Sequence, residues 1–245
     1  TTDTVSVFPI VNTTYNILGI DSFGCSSIAN IPITVNVSPV VTVSPNTSIC
    51  LGETTILTSN GAVQYNWSPT STLSSSTGNS VSATPTTTTS YLVTGTDANS
   101  CSATASVMVN VLPLPILQLN PIAPTLCDGE SIILTVSGAN TYLWSPALGL
   151  NNTIGAVVTA TPIQSTTYYV VGEDVNGCKD TAITTVSVNP NPVLTTFPSS
   201  GTMCMGDTSM LYVSGATTYI WSPNTAISST TTDTVTIYPV VNTTY

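Results

Sequence analysis

The chain has 245 residues, of which one (Lys179) is basic, 11 are acidic and none is histidine, so its formal net charge is −10. Binding to nucleic acid or to an anionic membrane surface needs cationic side chains, so this composition argues against both kinds of partner. The longest apolar region, residues 107–119, is interrupted by two prolines and two amide residues. It is shorter than the ~20 apolar residues of a membrane-spanning helix, so no membrane insertion is predicted.

The two ends of the chain carry the same sequence. Residues 1–15 read TTDTVSVFPIVNTTY and residues 231–245 read TTDTVTIYPVVNTTY. Between them, Trp67, Trp144 and Trp221 occur at intervals of 77 residues, each in a Tyr-x-Trp-Ser-Pro motif. A fixed period of this length predicts a tandem array of one structural unit. We expect a segment of a longer array, with an incomplete repeat at each end.

Pairs of prolines mark the boundaries between repeats. Pro39 and Pro45 correspond to Pro115 and Pro121, and then to Pro192 and Pro198. This spacing predicts a partial repeat, two full repeats and a second partial repeat, with the boundaries 1–38, 39–114, 115–191 and 192–245.

Strand patterns are dense in the second full repeat. Runs rich in β-branched residues and punctuated by Gly, Pro and Asn predict strands over 116–120, 130–137, 140–144, 156–161, 166–174 and 180–189. No segment shows a helical period of useful length. The fold class is therefore predicted as all-β, a tandem array of immunoglobulin-like sandwiches with six or seven short antiparallel strands each.

Recurring aromatic residues are predicted to hold each sandwich together. The tryptophans of the motif, Trp67, Trp144 and Trp221, fall on the third strand, where such folds bury a Trp against the opposite sheet. Four tyrosines enter the fifth strand, in the place of a tyrosine corner whose hydroxyl bonds back to the backbone: Tyr15, Tyr91, Tyr168 and Tyr245. A stacking platform for sugars is the functional alternative for these aromatic residues.

The cysteines occupy two alternating sites. Cys50, Cys127 and Cys204 precede the second strand in Cys-x-Gly-(Glu/Asp), whereas Cys25, Cys101 and Cys178 follow the turn between the last two strands. Without Cys-x-x-Cys or histidine, no metal site is predicted. Disulfides are predicted instead, which implies an oxidising, extracellular location.

Two disulfide pairings are open. Pairing within a repeat joins Cys50 to Cys101 and Cys127 to Cys178. In a sandwich, however, the two sites lie at opposite ends of a strand of ~8 residues and ~26 Å, whereas bridged Cα atoms are ~4–7 Å apart. We therefore favour a Cys50–Cys178 bond between repeats, with Cys25, Cys204 and the other cysteines pairing outside this sequence.

Catalytic and metal sites have little support. Nucleophile–base triads cannot be built without histidine, and Glu53, Glu130 and Asp207 occupy equivalent positions in successive repeats, as expected of a solvated edge. The chain is predicted not to be an enzyme and to need no cofactor. Calcium is a lesser alternative, with oxygen ligands in two turns: Asp97 and Asn99, and Glu173, Asp174 and Asn176. Ordinary turn chemistry also explains these residues.

The repeat resembles a known family. Its motifs run CLGE, YNWSP, TTSY and ANSC in one repeat and CDGE, YLWSP, TTYY and VNGC in the next. This order resembles the PKD/Ig-like tandem repeats of giant secreted surface proteins of gliding Bacteroidota, which act as adhesins, filaments or stalks. The resemblance also implies O-glycosylation of Asp-(Ser/Thr)-apolar sequences, which here places candidate sites at Thr4, Thr181 and Thr234.

The function expected from these features is structural. The chain is predicted to be part of a stiff extracellular filament or adhesin stalk at the cell surface, whose partners are further repeats or other copies of itself. A carbohydrate-binding adhesive array, with surface glycans as partners, is the alternative, and it requires an exposed row of aromatic residues.

Overall fold

The computed structural model describes residues 4–245 and contains strands but no helix in this range. The chain is all-β, as predicted. The partial repeat 1–38 contributes a two-stranded antiparallel hairpin of β1 (Thr13–Ile20) and β2 (Ser26–Ile33), in which Thr13 lies opposite Ile33.

Seven strands form the first full repeat. They are β3 (Thr42–Val43), β4 (Thr47–Cys50), β5 (Thr55–Asn60), β6 (Gln64–Ser68), β7 (Ser80–Ala83), β8 (Thr89–Thr96) and β9 (Ser102–Leu112). One sheet has the order β3-β5-β7 and the other has the order β4-β9-β8-β6. Two sheets of three and four strands that enclose one core make an immunoglobulin-like sandwich.

The second full repeat has the same topology. Its strands are β10 (Gln118–Asn120), β11 (Thr125–Cys127), β12 (Ile132–Ser137), β13 (Thr141–Ser145), β14 (Val157–Ala160), β15 (Thr166–Glu173) and β16 (Lys179–Asn189). They form the sheets β10-β12-β14 and β11-β16-β15-β13.

The expectation that all strands are antiparallel was wrong for one pair in each full repeat. β4 runs parallel to β9 and β11 runs parallel to β16. The reason is a break in the first strand: in the second full repeat β10 ends at Asn120, and the chain then enters the opposite sheet as β11. A strand that changes sheets in this way meets the last strand in the parallel direction.

Alternating inward-facing residues fill each core. In the second full repeat the core includes Leu134, Trp144, Val158, Tyr168 and Val186, each no more than 1% exposed. The first full repeat buries the equivalent set around Trp67 and Tyr91.

The loop between β6 and β7 covers two sheet edges. The backbone N–H of Trp67 donates to Ser76 O at 2.7 Å, which pairs the free side of β6. On the other sheet, Thr84 N donates to Thr72 O at 2.9 Å beside the free side of β7. Paired edges present fewer unsatisfied backbone groups, so edge-to-edge association of these strands is disfavoured.

The partial repeat 192–245 forms a smaller sheet in the order β17-β18-β19, with β17 (Thr195–Phe197), β18 (Ser209–Ser214) and β19 (Thr234–Ile237). Its Tyr-x-Trp-Ser-Pro motif is not in a strand. In the full repeats this motif pairs with the strand that holds Tyr91 or Tyr168. Tyr245 occupies that position of the repeat and is the last residue of the sequence.

The chain forms two compact units that do not follow the repeats strictly. The first takes in the described residues up to Pro115 together with Glu173–Asp180, and the second consists of Ile116–Gly172 and Thr181–Tyr245. The turn between β15 and β16 thus belongs to the second full repeat by sequence and to the first unit by contacts.

Candidate functional site

A disulfide joins cysteines from two different repeats. Cys50 ends β4 and Cys178 follows the turn after β15, and their Cα atoms lie 5.5 Å apart although they are separated by 128 residues in sequence. This is the pairing that the topology argument favoured. The intra-repeat alternative is not formed, because Cys101 and Cys127 are free thiols, as are Cys25 and Cys204.

A glutamate holds the turn that presents Cys50. Glu53 Oε2 accepts a hydrogen bond from Cys50 N at 2.9 Å, and Glu53 N donates to Cys50 O at 3.0 Å. Gly52 supplies the positive φ of 91° that this turn needs. The same contact recurs between Glu130 Oε2 and Cys127 N at 2.9 Å. The Cys-x-Gly-Glu motif is therefore a turn, and its carboxylates are engaged by backbone.

An aspartate holds the turn that presents Cys178. Asp174 Oδ1 accepts hydrogen bonds from Asn176 N at 2.8 Å and from Cys178 N at 2.9 Å. Asp97 makes the same contact with Cys101 N at 2.9 Å, and Asp21 makes it with Cys25 N at 2.8 Å. The ordinary turn chemistry named for Asp97 and Asp174 is confirmed. The contact with the cysteine backbone was not assigned, although an Asp four residues before each of these cysteines was visible as the signal.

These contacts also set the electrostatics of the turn. Desolvation is the largest single influence and pushes the pKa of the Asp174 carboxyl up, but hydrogen bonds from the backbone of Cys178, Asn176 and Gly177 and from the Asn176 side chain together outweigh it. The pKa of Asp174 therefore lies below its ordinary value, so the carboxylate stays charged and hydrogen-bonded within the turn. Lys179 Nζ lies 3.4 Å from Glu173 Oε2, but both side chains are exposed, so this ion pair contributes about 1 kcal/mol at most.

The carboxylates named for the calcium alternative take part in turn hydrogen bonds. Asp97 and Asp174 already use Oδ1 to accept backbone N–H groups. Within residues 4–245, no group of three or more acidic, cysteine or histidine side chains is placed to hold a metal ion.

The recurring tryptophans lie in the core rather than on a sugar-binding surface. Trp67 and Trp144 are 1% exposed, and their indole Nε1 atoms donate to Gly78 O at 2.9 Å and to Gly155 O at 3.0 Å. Trp221, in the partial repeat, is half-buried and donates to Thr232 O at 2.8 Å. In the two full repeats the indole thus ties its strand to the loop that covers the strand edge.

The fifth-strand tyrosines bond to a distant loop rather than to a local corner. Tyr168, which is fully buried, donates from its hydroxyl to Leu148 O at 2.7 Å, and Tyr245 donates to Ala226 O at 2.9 Å. The Tyr91 hydroxyl bonds to the Thr72 hydroxyl. Tyr15 is half-buried in β1. The hydroxyls of Tyr91, Tyr168 and Tyr245 thus hold the loop that follows the Tyr-x-Trp-Ser-Pro motif.

The local backbone contact is made by the tyrosine of the Tyr-x-Trp-Ser-Pro motif, which sequence reasoning did not assign. Tyr142 Oη accepts from Ala139 N at 2.8 Å and donates to Ala139 O at 2.8 Å. Tyr65 and Tyr219 make the same pair of contacts with Ala62 and Ala216. These tyrosines fix the loop that leads into the tryptophan strand.

The candidate glycosylation positions differ in access. Thr4 and Thr181 are exposed, whereas Thr234 is half-buried in β19. Asp3, which precedes Thr4 in its motif, lies outside the described residues. In the part of the chain that the structure describes, no helix has the length and apolar character needed to cross a membrane.

One part of the chain matches a known family model. A family model described as "Ig-like domain CHU_C associated" matches residues 115–192. These residues form an Ig-like domain. The match falls on the second full repeat, and the first full repeat shares its topology. A search among curated proteins found no match.

Several solved structures of tandem domains are similar in fold. A three-Ig fragment of titin is 12% identical with a TM-score of 0.37, and the alignment covers 84% of this chain and 90% of the fragment. A Ca²⁺-stabilised, ice-binding adhesin of an Antarctic bacterium is 12% identical with a TM-score of 0.34, covering 93% and 74%. The N-terminal eight Ig domains of Down Syndrome Cell Adhesion Molecule are 14% identical with a TM-score of 0.34, covering 97% and 43%.

Proposed function

We propose that this chain is a non-enzymatic, extracellular structural segment that carries tension along consecutive Ig-like repeats of a cell-surface filament or adhesin stalk. The observation that supports this most is the Cys50–Cys178 bond, which connects one repeat covalently to the next. Disulfides persist in oxidising surroundings, which fits an extracellular location.

The position of the bond gives it a mechanical consequence. Residues 51–177 lie in the closed loop between Cys50 and Cys178, and they include every strand from β5 to β15. A force applied at the two chain termini passes through the sulfur–sulfur bond and bypasses that loop. Most of both full repeats is therefore shielded from extension.

The surroundings of the bond suit a permanent link. The Cys178 side chain is fully buried and Cys50 is nearly so, which keeps reductants away from the sulfurs. The turns held by Glu53 and Asp174 fix the backbone on both sides of the bond. A bond in this setting is structural rather than redox-active.

Force–extension measurement of single chains, held at the two termini, tests this proposal. Reduction should lengthen the fully extended chain by roughly 440 Å, since 128 residues are released at about 3.5 Å each. The Cys50→Ser/Cys178→Ser variant should show the longer extension without reductant. Cys101→Ser/Cys127→Ser is the matched control and should behave as the unmodified chain. Equal lengths before and after reduction would contradict the proposal.

Sugar stacking along the whole array is not proposed. Such binding needs exposed aromatic faces, whereas Trp67 and Trp144 are buried and hydrogen-bonded in their cores. Catalysis by repeated acids is not proposed either, because the Glu53 and Glu130 carboxylates accept backbone hydrogen bonds within turns. Further repeats and other copies of the chain are the partners that this function implies.

A further inference from the structure

The first full repeat carries a surface groove whose lining is not required by the fold. The groove has a volume of about 940 Å³ and lies between the β5–β6 turn, the residues before β7 and the end of β8. Ligand sites commonly fall between about 300 and 1,000 Å³. We propose that this groove binds a neutral oligosaccharide.

Amide and hydroxyl side chains dominate the lining: Asn60, Gln64, Asn66, Asn79, Thr94 and Thr96. The four amides carry both donors and acceptors, and within residues 4–245 none of them is engaged in a hydrogen bond. A sugar hydroxyl is also both donor and acceptor, so neighbouring hydroxyls match an amide NH₂ and C=O.

The chemistry of the lining disfavours other ligands. The groove contains no basic residue, so a phosphate, sulfate or carboxylate finds no counter-charge. It offers few apolar side chains; Val63, which is 68% exposed, suits the C–H face of a sugar ring rather than a large apolar ligand.

Core aromatic residues hold the walls of the groove in place. Trp67 Nε1 donates to Gly78 O at 2.9 Å on one wall. On the other, Tyr65 Oη accepts from Ala62 N at 2.8 Å and donates to Ala62 O at 2.9 Å. The backbone around the groove is thus ordered before a ligand arrives, which lowers the entropic cost of binding.

The second full repeat provides a natural comparison. Trp144 and Tyr142 make the same wall contacts there, so the backbone is alike. Its side chains differ, because the positions of the four amides are occupied by Ser137, Thr141, Leu143 and Ala156. The same fold is thus built without an amide at any of these four positions, so the amides of the first repeat are available for a ligand.

Affinity electrophoresis tests the proposal, because a chain with a net charge of −10 migrates readily in a native gel. The probes are laminarin, dextran, mannan, galactan and xylan cast separately into the gel. Migration of the whole chain should be retarded by at least one of them. The variant Asn60→Ser/Asn66→Leu/Asn79→Ala, which installs the residues of the second repeat, should weaken that interaction at least about tenfold, as expected for about 1.4 kcal/mol of lost hydrogen bonding.

One variant with a substitution outside the groove serves as the control. Gln164→Leu removes an exposed amide outside the groove and should leave the retardation unchanged. Amide-proton NMR spectra of each variant establish that it is folded. No retardation by any of the five polysaccharides, or equal retardation of the triple variant and the unmodified chain, would overturn the proposal.

Discussion

Cys178 lies four residues after Asp174, and its backbone N–H donates to the Asp174 carboxylate at 2.9 Å. On the other side of the disulfide, Cys50 N donates to Glu53 at 2.9 Å. Both sulfur atoms are therefore presented by turns that a carboxylate closes on the cysteine backbone. Glu53 and Asp174, two of the chain's few charged residues, thus position the backbone on either side of the disulfide.

Asp174 should make stability depend on pH in the acid range. Its pKa is lower in the folded chain than the ordinary value, so its contribution to the free energy of unfolding is complete above the unfolded pKa. The contribution is lost as the pH falls through the lowered, folded pKa. Unfolding of the unmodified chain and of Asp174→Ala, followed from neutral pH to below pH 3, should give curves that converge as the pH falls.

Asp174→Asn separates the charge from the hydrogen bonds. The amide oxygen still accepts from the backbone of Asn176 and Cys178, but the residue no longer titrates. Its stability relative to Asp174→Ala should therefore lack the acid dependence. If the difference in free energy of unfolding between the unmodified chain and Asp174→Ala grew toward low pH, the assigned direction of the Asp174 pKa shift would be wrong.

Gly138 should not tolerate substitution by a residue with a side chain. Its φ is +104°, and a Cβ would lie 1.9 Å from the backbone oxygen of Ile116. We expect Gly138→Ala to destabilise the second full repeat by about 3 kcal/mol or more, because strain and a backbone clash add. Amide hydrogen exchange in β12 and β15 measures this locally.

Gly129→Ala is the matched control for that prediction. Gly129 also has a positive φ, +87°, but a Cβ there would meet nothing within 4 Å. Only the conformational cost applies, which is about 1–2 kcal/mol. If the two alanine variants lost equal stability, the close approach to Ile116 would not be what requires glycine.

Trp144 should contribute far more to stability than its neighbour on the same strand. It is 1% exposed and bonded to Gly155, so Trp144→Ala should cost about 3–5 kcal/mol. Leu143 points to the other face and is 56% exposed, so Leu143→Ala should change stability by about 0.5 kcal/mol or less. Hydrogen exchange of the β15 amides reports both, and comparable losses would place Trp144 outside the core.

Glycosylation remains a prediction from the sequence motif. In protein from the native source, the measured mass of residues 1–245 should exceed the 25.3 kDa calculated from their sequence. Thr181→Ala should remove part of this excess mass. Thr181 is exposed, whereas Thr234 is half-buried in β19, so we expect fuller modification at Thr181. A mass equal to that of the sequence would contradict the motif.

The sequence predicted the long strands well because their patterns are local. The expected 166–174 is observed as Thr166–Glu173, and 180–189 is observed as Lys179–Asn189. β11 was missed, because three residues that follow a proline carry no periodic pattern. The parallel pairing of β11 with β16 arises because the chain passes from one sheet to the other after β10, and no local sequence pattern predicts this change.

Within the candidate site, topology was predictable and hydrogen bonding was not. Once the fold was inferred, the distance between opposite ends of a sandwich disfavoured Cys50–Cys101 and favoured Cys50–Cys178. The destination of the Tyr168 hydroxyl, 20 residues away at Leu148, depends on how the loop after β13 folds over the core. The roles of Asp174 and Tyr142 required side-chain geometry as well.

Mapping of the disulfide in the non-reduced chain tests the central claim most directly. After free thiols are blocked, cleavage after Asp and Glu places Cys50 in the fragment 22–53, Cys101 in 98–128 and Cys178 in 175–180. The structure predicts a linked pair of 22–53 with 175–180 that separates on reduction, in which the blocked thiol of 22–53 is Cys25 and the linked one is Cys50. A blocked thiol at Cys178, or a link between 22–53 and 98–128 that involves Cys50, would contradict the covalent connection between repeats.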